Sequence, residues 1–178
     1  WDVAGPVTGM ATSPNFRTDG TAFAALDGGG LMATRNNGKT WEDASFGLNS
    51  MLVFSVAVSP DWSRYETMWA STEEGVYISR NGGRAWRATS LVDKDDVVDA
   101  LAVSPAFADD QTVYAGTESG ALHISTDGGR PPSSSSTPGG WCSCAPRCPR
   151  PWPRASGSAG RSPERSGRRS SASNSTPA

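Results

Sequence analysis

The sequence predicts an all-β chain built from recurring four-stranded sheets, and three observations carry that expectation. Two independent markers keep one period. Ser-Pro-x-aromatic stretches begin at Ser13, Ser59 and Ser104, and tight polar turns begin at Thr34, Ser79 and Ser125, all at intervals of 45 or 46 residues. Between the markers, apolar residues fall in short runs bounded by Gly, Pro, Asn and Asp. No helical period of useful length appears anywhere.

The second period shows the elements in order. "VFSVAVSP" alternates and ends at Pro60, and "ETMWAST" is a short apolar run. "GVYISR" alternates up to the turn at Ser79, and "AWRATS" follows it. Each reads as a strand of 5 to 8 residues bounded by turn residues. Four strands in about 45 residues is the size of a propeller blade. The expected fold is a partial β-propeller of about 2.75 four-stranded blades, two complete and the third with three strands. A blade buries its faces only against its neighbours, and closed propellers hold about 4 to 8 blades. The chain therefore reads as a fragment of a larger protein, with further blades from the parent chain or an oligomer needed to close a ring. It opens on Trp1 with no basic or apolar leader, which fits the same expectation.

The language changes after Arg130. Residues 1–130 carry 17 acids and 9 Lys or Arg, whereas residues 131–178 carry 7 Arg and one acid, Glu164. The later segment holds no Leu, Ile, Val, Phe, Tyr or Met and is mostly Ser, Pro, Arg, Gly and Ala. Such a segment buries too little apolar surface to offset chain entropy, so 131–178 is expected to be a disordered tail after a propeller region at 1–130. The favoured origin of the tail is a frameshift. The third turn stops at "STDGGR", where the first two continue to a Trp, and the tail's residue types all have GC-rich codons. A genuine basic tail or a Pro/Ser linker is the rival reading. Binding to nucleic acid would rest on the tail alone and is not expected. All three cysteines, Cys142, Cys144 and Cys148, lie there with no fourth ligand in view, so neither a metal nor a cofactor is expected. No run of about 18 apolar residues exists, and no membrane span is expected.

The recurring turn has chemistry of its own. Its copies run Thr34-x-Asn36-x-Gly38-x-Thr40-Trp41, Ser79-x-Asn81-x-Gly83-x-Ala85-Trp86 and Ser125-x-Asp127-x-Gly129. Asn and Asp side chains accept hydrogen bonds from backbone N–H groups one or two residues on, Gly supplies positive φ, and Trp covers the turn. This pattern resembles the Asp-box, or bacterial neuraminidase repeat, over residues 1–130. Two copies replace Asp by Asn, and the third lacks its Thr and Trp. The resemblance extends to sialidases, sortilin-like receptors, photosystem II assembly factors and some glycosidases. It implies that the turn is structural, joining the third and fourth strands of a blade on the face away from any ligand. It also implies an extracellular or cell-surface location. The Ser-Pro-x-aromatic stretch is read as the end of the innermost strand, with its aromatic packed between blades.

Candidate ligand-face loops follow from the blade reading. One set joins strands two and three and holds Asp27, then Glu73 and Glu74, then Glu118. The other joins blades through "GLNSML" from Gly47 and "LVDKDDVV" from Leu91, with Asp93, Asp95 and Asp96. Such acids attract a cationic ligand, a basic protein segment or Ca²⁺, though exposed loops are also acidic for solvation alone. No catalytic residue is assigned. The single His123 lies in a strand pattern, which excludes a Ser-His-Asp reading. The sialidase signature Phe-Arg-Ile-Pro is absent, and the arginines at 35, 80 and 84 fall in the turns. The expected function is a non-catalytic scaffold for protein or glycan contacts. The alternative is a fragment of a glycoside hydrolase, sialidase-like or xyloglucanase-like, with an incomplete active site.

Overall fold

The computed structural model describes residues 5–91 and 96–130, together with the backbone of Cys142–Cys144. Three antiparallel sheets follow one another along the chain. Sheet 1 holds β1 (Val7–Thr12), β2 (Ala22–Leu26), β3 (Gly30–Thr34) and β4 (Glu42–Asp43). Sheet 2 holds β5 (Val53–Val58), β6 (Met68–Thr72), β7 (Gly75–Ser79) and β8 (Arg87–Ala88). Sheet 3 holds β9 (Val98–Val103), β10 (Val113–Thr117), β11 (Leu122–Ser125) and β12 (Cys142–Cys144). In each sheet the spatial order of strands is the chain order, and the first strands β1, β5 and β9 stand side by side. This is the architecture of a partial β-propeller.

The sequence dictates which strands are central. β2 and β6, "AFAAL" and "MWAST", are buried at every position, because each is paired on both edges and covered on both faces. The outermost strands depart from expectation: β4 and β8 have two residues each, not five to eight. Ile78 pairs with Arg87 and Tyr77 with Ala88, but the Trp86 N–H leaves the ladder and donates to Phe46 O, 3.0 Å away, in the preceding module.

A second departure is helical. One turn of helix follows each Ser-Pro: α1 (Phe16–Asp19), α2 (Trp62–Tyr65) and α3 (Phe107–Asp110). A single turn leaves no periodic signal in sequence. The Ser hydroxyl sets each one up by accepting the N–H two residues on, from Asn15 at 3.0 Å, Asp61 at 3.2 Å and Ala106 at 3.1 Å.

These turns aim an aromatic at the neighbouring sheet. Trp62 meets Phe23 of sheet 1 edge to face, with centroids 5.6 Å apart, and Phe107 meets Trp69 of sheet 2 at 5.0 Å. The two cores are therefore the two seams between modules. One gathers Phe23, Leu31, Val53, Trp62, Met68 and Trp86, and the other gathers Trp69, Ile78, Leu91, Val98, Phe107 and Val113. Trp86 serves the first seam instead of covering its own turn. It is 4% exposed, and its Nε1 donates to Ala44 O at 2.7 Å.

The expected tail, 131–178, lies outside the described residues apart from Cys142–Cys144. That short strand pairs with β11 and gives sheet 3 a fourth member where three were expected.

Candidate functional site

Antiparallel strand order sends the β2–β3, β6–β7 and β10–β11 turns to the same end as the connections between modules. The expected acidic loops gather there. Asp27 follows β2, Glu73 and Glu74 lie between β6 and β7, and Glu118 follows β10. All four are exposed. Backbone bonds tie the turns to the preceding connections: Asp27 N–H donates to Pro6 O and Glu118 N–H to Val97 O, both at 2.9 Å. Asp93 and Asp95 fall outside the described residues.

The carboxylates are held within modules. Glu73 accepts from the Ser50 hydroxyl at 2.8 Å, and Asp96 accepts from the Ser119 hydroxyl at 2.7 Å. The Ser119 bond, assisted by Thr117, holds the Asp96 carboxyl below the usual range, so it stays ionised. Tyr77 is 2% exposed, and burial pushes its phenol up, with Glu74 adding to the effect against the Asn49 backbone. Among the described residues no group of three or more His, Cys, Asp or Glu is placed to hold a metal ion. His123 lies on β11 opposite Ala115.

The opposite end carries the recurring turns, which join β3 to β4, β7 to β8 and β11 to β12. Their centre is the hydroxyl of the Thr or Ser that opens each copy, a motif residue to which the sequence pattern alone assigns no chemistry. Thr34, Ser79 and Ser125 are buried, at 1%, 0% and 1% exposure. Each accepts the N–H of the glycine four residues on, at 3.0 Å for Gly38, 3.0 Å for Gly83 and 2.9 Å for Gly129. Each also donates to the Asn or Asp oxygen two residues on, at 3.0, 2.9 and 2.6 Å. The Asn oxygens reach farther than expected: Asn36 accepts from Thr40 N–H at 2.9 Å and Asn81 from Ala85 N–H at 3.0 Å. Asp127 accepts instead from Gly129 N–H at 3.1 Å. Gly38, Gly83 and Gly129 sit at φ of 80°, 80° and 72°, which only glycine adopts without strain.

Among the described residues no helix is long and apolar enough to cross a membrane. No protein-family model matches the chain, and no curated protein does. Solved structures do. An ancestral GH74 enzyme is 23% identical with a TM-score of 0.60, over 79% of this chain and 18% of that one. The GH74 xyloglucanase from Xanthomonas campestris is 14% identical with a TM-score of 0.57, over 85% and 23%. YCF48 bound to D1 peptide is 18% identical with a TM-score of 0.56, over 78% and 40%. The chain thus spans under a quarter of those two enzymes and two fifths of that YCF48. At these identities the likeness is one of fold, and it agrees with the three sheets in making this chain a portion of a β-propeller.

Proposed function

We propose that this chain is a non-catalytic propeller module of the Asp-box type, a scaffold for protein or glycan contacts within a larger assembly. The observation behind this reading is how the acidic end is used. A glycoside hydrolase needs two facing carboxyls, one kept protonated to act as acid. Here Ser50 engages Glu73 and Ser119 engages Asp96, and Asp96 is shifted toward its ionised form. Those hydroxyls fix loop shape, which suits a binding surface. A peptide-bound YCF48 among the structural neighbours supports the protein-contact version.

The flanks support a larger assembly. Phe23 and Trp69 are buried by the next module's aromatic, whereas their counterpart Tyr114 is half-exposed. Phe16 is likewise half-exposed, whereas its counterparts Trp62 and Phe107 are buried. Further modules from a longer chain or a second copy fit both faces.

A second reading, a glycoside hydrolase fragment, rests on the GH74 enzymes among the neighbours. Incubation with xyloglucan, followed by a reducing-end assay, separates the two. The expected result is no release of reducing ends. Release that Glu73→Gln or Asp96→Asn abolishes would overturn the scaffold reading.

A further inference from the structure

The two seams are built from equivalent positions, and at the turn end they differ in charge. In the first seam both arginines are answered, and an acid stands beside them. Arg35 on module 1 donates to Gly82 O at 2.7 Å, Arg84 on module 2 pairs with Glu66 at 2.8 Å, and the position after Trp41 is Glu42. One period later the three arrangements fail together. Trp69 replaces Phe23, and its Nε1 takes Gly128 O at 3.1 Å, the carbonyl that corresponds to Gly82 O. Arg80, the counterpart of Arg35, is left without that acceptor. Gln111 replaces Glu66, so Arg130, the counterpart of Arg84, has no carboxylate there. Arg87 replaces Glu42.

Arg80, Arg87 and Arg130 together line a cleft of about 480 Å³ with Ile78, Asn81 and Ala85. Among the described residues none of the three guanidiniums has a hydrogen bond or ion pair. Asp127 is the acid that acts on Arg80, and its Oδ1 already accepts from Ser125 and Gly129. Burial lowers the Arg80 pKa, and the neighbouring Arg130 and Arg87 charges lower it further. Three like charges converging in one cleft are unfavourable unless an anion offsets them.

We propose that this cleft between modules 2 and 3, at the turn end of the fold, binds an acidic peptide segment whose carboxylates are received by Arg80, Arg87 and Arg130. Guanidiniums match carboxylates through paired N–H donors. The rest of the lining favours a peptide over an acidic sugar. Ile78 and Ala85 suit apolar side chains, Asn81 suits a backbone amide, and among the described residues no aromatic ring lines this cleft itself, Tyr65 and Phe107 lining the cavity that adjoins it. Among the described residues β8, which supplies Arg87, is bonded to β7 alone and leaves an edge for an extended chain. This site lies at the end opposite the acidic loops, so the xyloglucan assay and the test below fail independently.

The test is fluorescence anisotropy of the full chain with a labelled Glu/Asp-rich peptide, with near-UV circular dichroism confirming the fold of each variant. Arg80→Gln and Arg87→Gln should each weaken binding about tenfold, the scale of one charge-assisted hydrogen bond. Arg17→Gln, on α1 of module 1, should change it less than about twofold, as expected for an exposed charge remote from the cleft. Trp69→Phe keeps every charge yet returns Gly128 O to Arg80, as in the first seam, and it should also weaken binding. Affinity that the Arg80 and Arg87 variants leave unmoved, or that falls equally with Arg17→Gln, overturns the proposal. So does tighter binding of a sulfated glycan than of the peptide.

Discussion

Replacing Ser79 by alanine tests whether a hydroxyl or an amide organises the recurring turn. The Ser79 Oγ is fully buried, accepts from Gly83 N–H at 3.0 Å, and donates to Asn81 Oδ1 at 2.9 Å. Gly83 is buried as well, so its N–H has no route to water once the hydroxyl is gone. A buried donor left unsatisfied costs about 1–3 kcal/mol. Asn81, the residue that marks the motif in sequence, is exposed, and its bond from Ala85 N–H is open to solvent. Removing this exposed amide opens both the Ala85 N–H and the Ser79 hydroxyl to water, so Asn81→Ala should cost about 0.5 kcal/mol. With a urea slope of about 2 kcal/mol per molar, Ser79→Ala should lower the unfolding midpoint by about 1 M and Asn81→Ala by about a quarter of that. The buried Trp62, Trp69 and Trp86 report the transition through their fluorescence. Ser79→Thr should retain most of the stability, since Thr34 fills the equivalent place in module 1. A larger loss for Asn81→Ala than for Ser79→Ala would refute the argument.

Two further outcomes follow from the same geometry. Phe107→Ala should cost about 3–5 kcal/mol by opening the second seam beside Trp69, whereas Phe16→Ala, at the equivalent but half-exposed position, should cost about 1 kcal/mol in the same urea assay. Asp110 is held below the ordinary aspartate value of about 3.9 by the Ser104 hydroxyl and the Thr112 N–H, so its contribution to stability is present above that value and lost as pH falls through the folded pKa. Ser104→Ala should raise the Asp110 pKa and start acid unfolding at higher pH, as read by carboxyl carbon NMR and circular dichroism.

Much of the fold is legible in the sequence because repetition multiplies a weak signal. A single "GVYIS" could be any buried strand, but its recurrence at fixed distance from a Ser-Pro and a Gly turn sets its place in the sheet. Strand length at the outer edge was not legible. β8 begins only at Arg87 because the N–H of the residue before it, Trp86, bonds to Phe46 O, a partner more than half a module away in sequence. The Trp86 indole escaped for the same reason, since it acts on Ala44 O in the neighbouring module. At the acidic end, the positions of Glu73 and Asp96 followed from strand counting, but Ser50 and Ser119, which hold them, carry no motif. Local chemistry is written locally. Chemistry across a seam emerges only when two modules are superposed residue by residue.

That superposition also changes which residues deserve a functional reading. Positions that keep their type through all three modules, such as the buried hydroxyl and the glycine it grips, are accounted for by the frame. The informative positions are those where one module abandons a solution that its neighbour keeps. Phe23 becomes Trp69, which takes over a carbonyl and releases Arg80. A change that only repacked the seam would leave the surrounding charges as they were. Here Glu66 becomes Gln111 near this cleft and Glu42 becomes Arg87 within it, a shift in the positive direction that the change of Asn81 to Asp127 only partly offsets. Stability alone gives no reason for that direction, because like charges drawn together oppose folding. An anion that offsets them does give one, and it places the interaction at the turn end, away from the acidic loops.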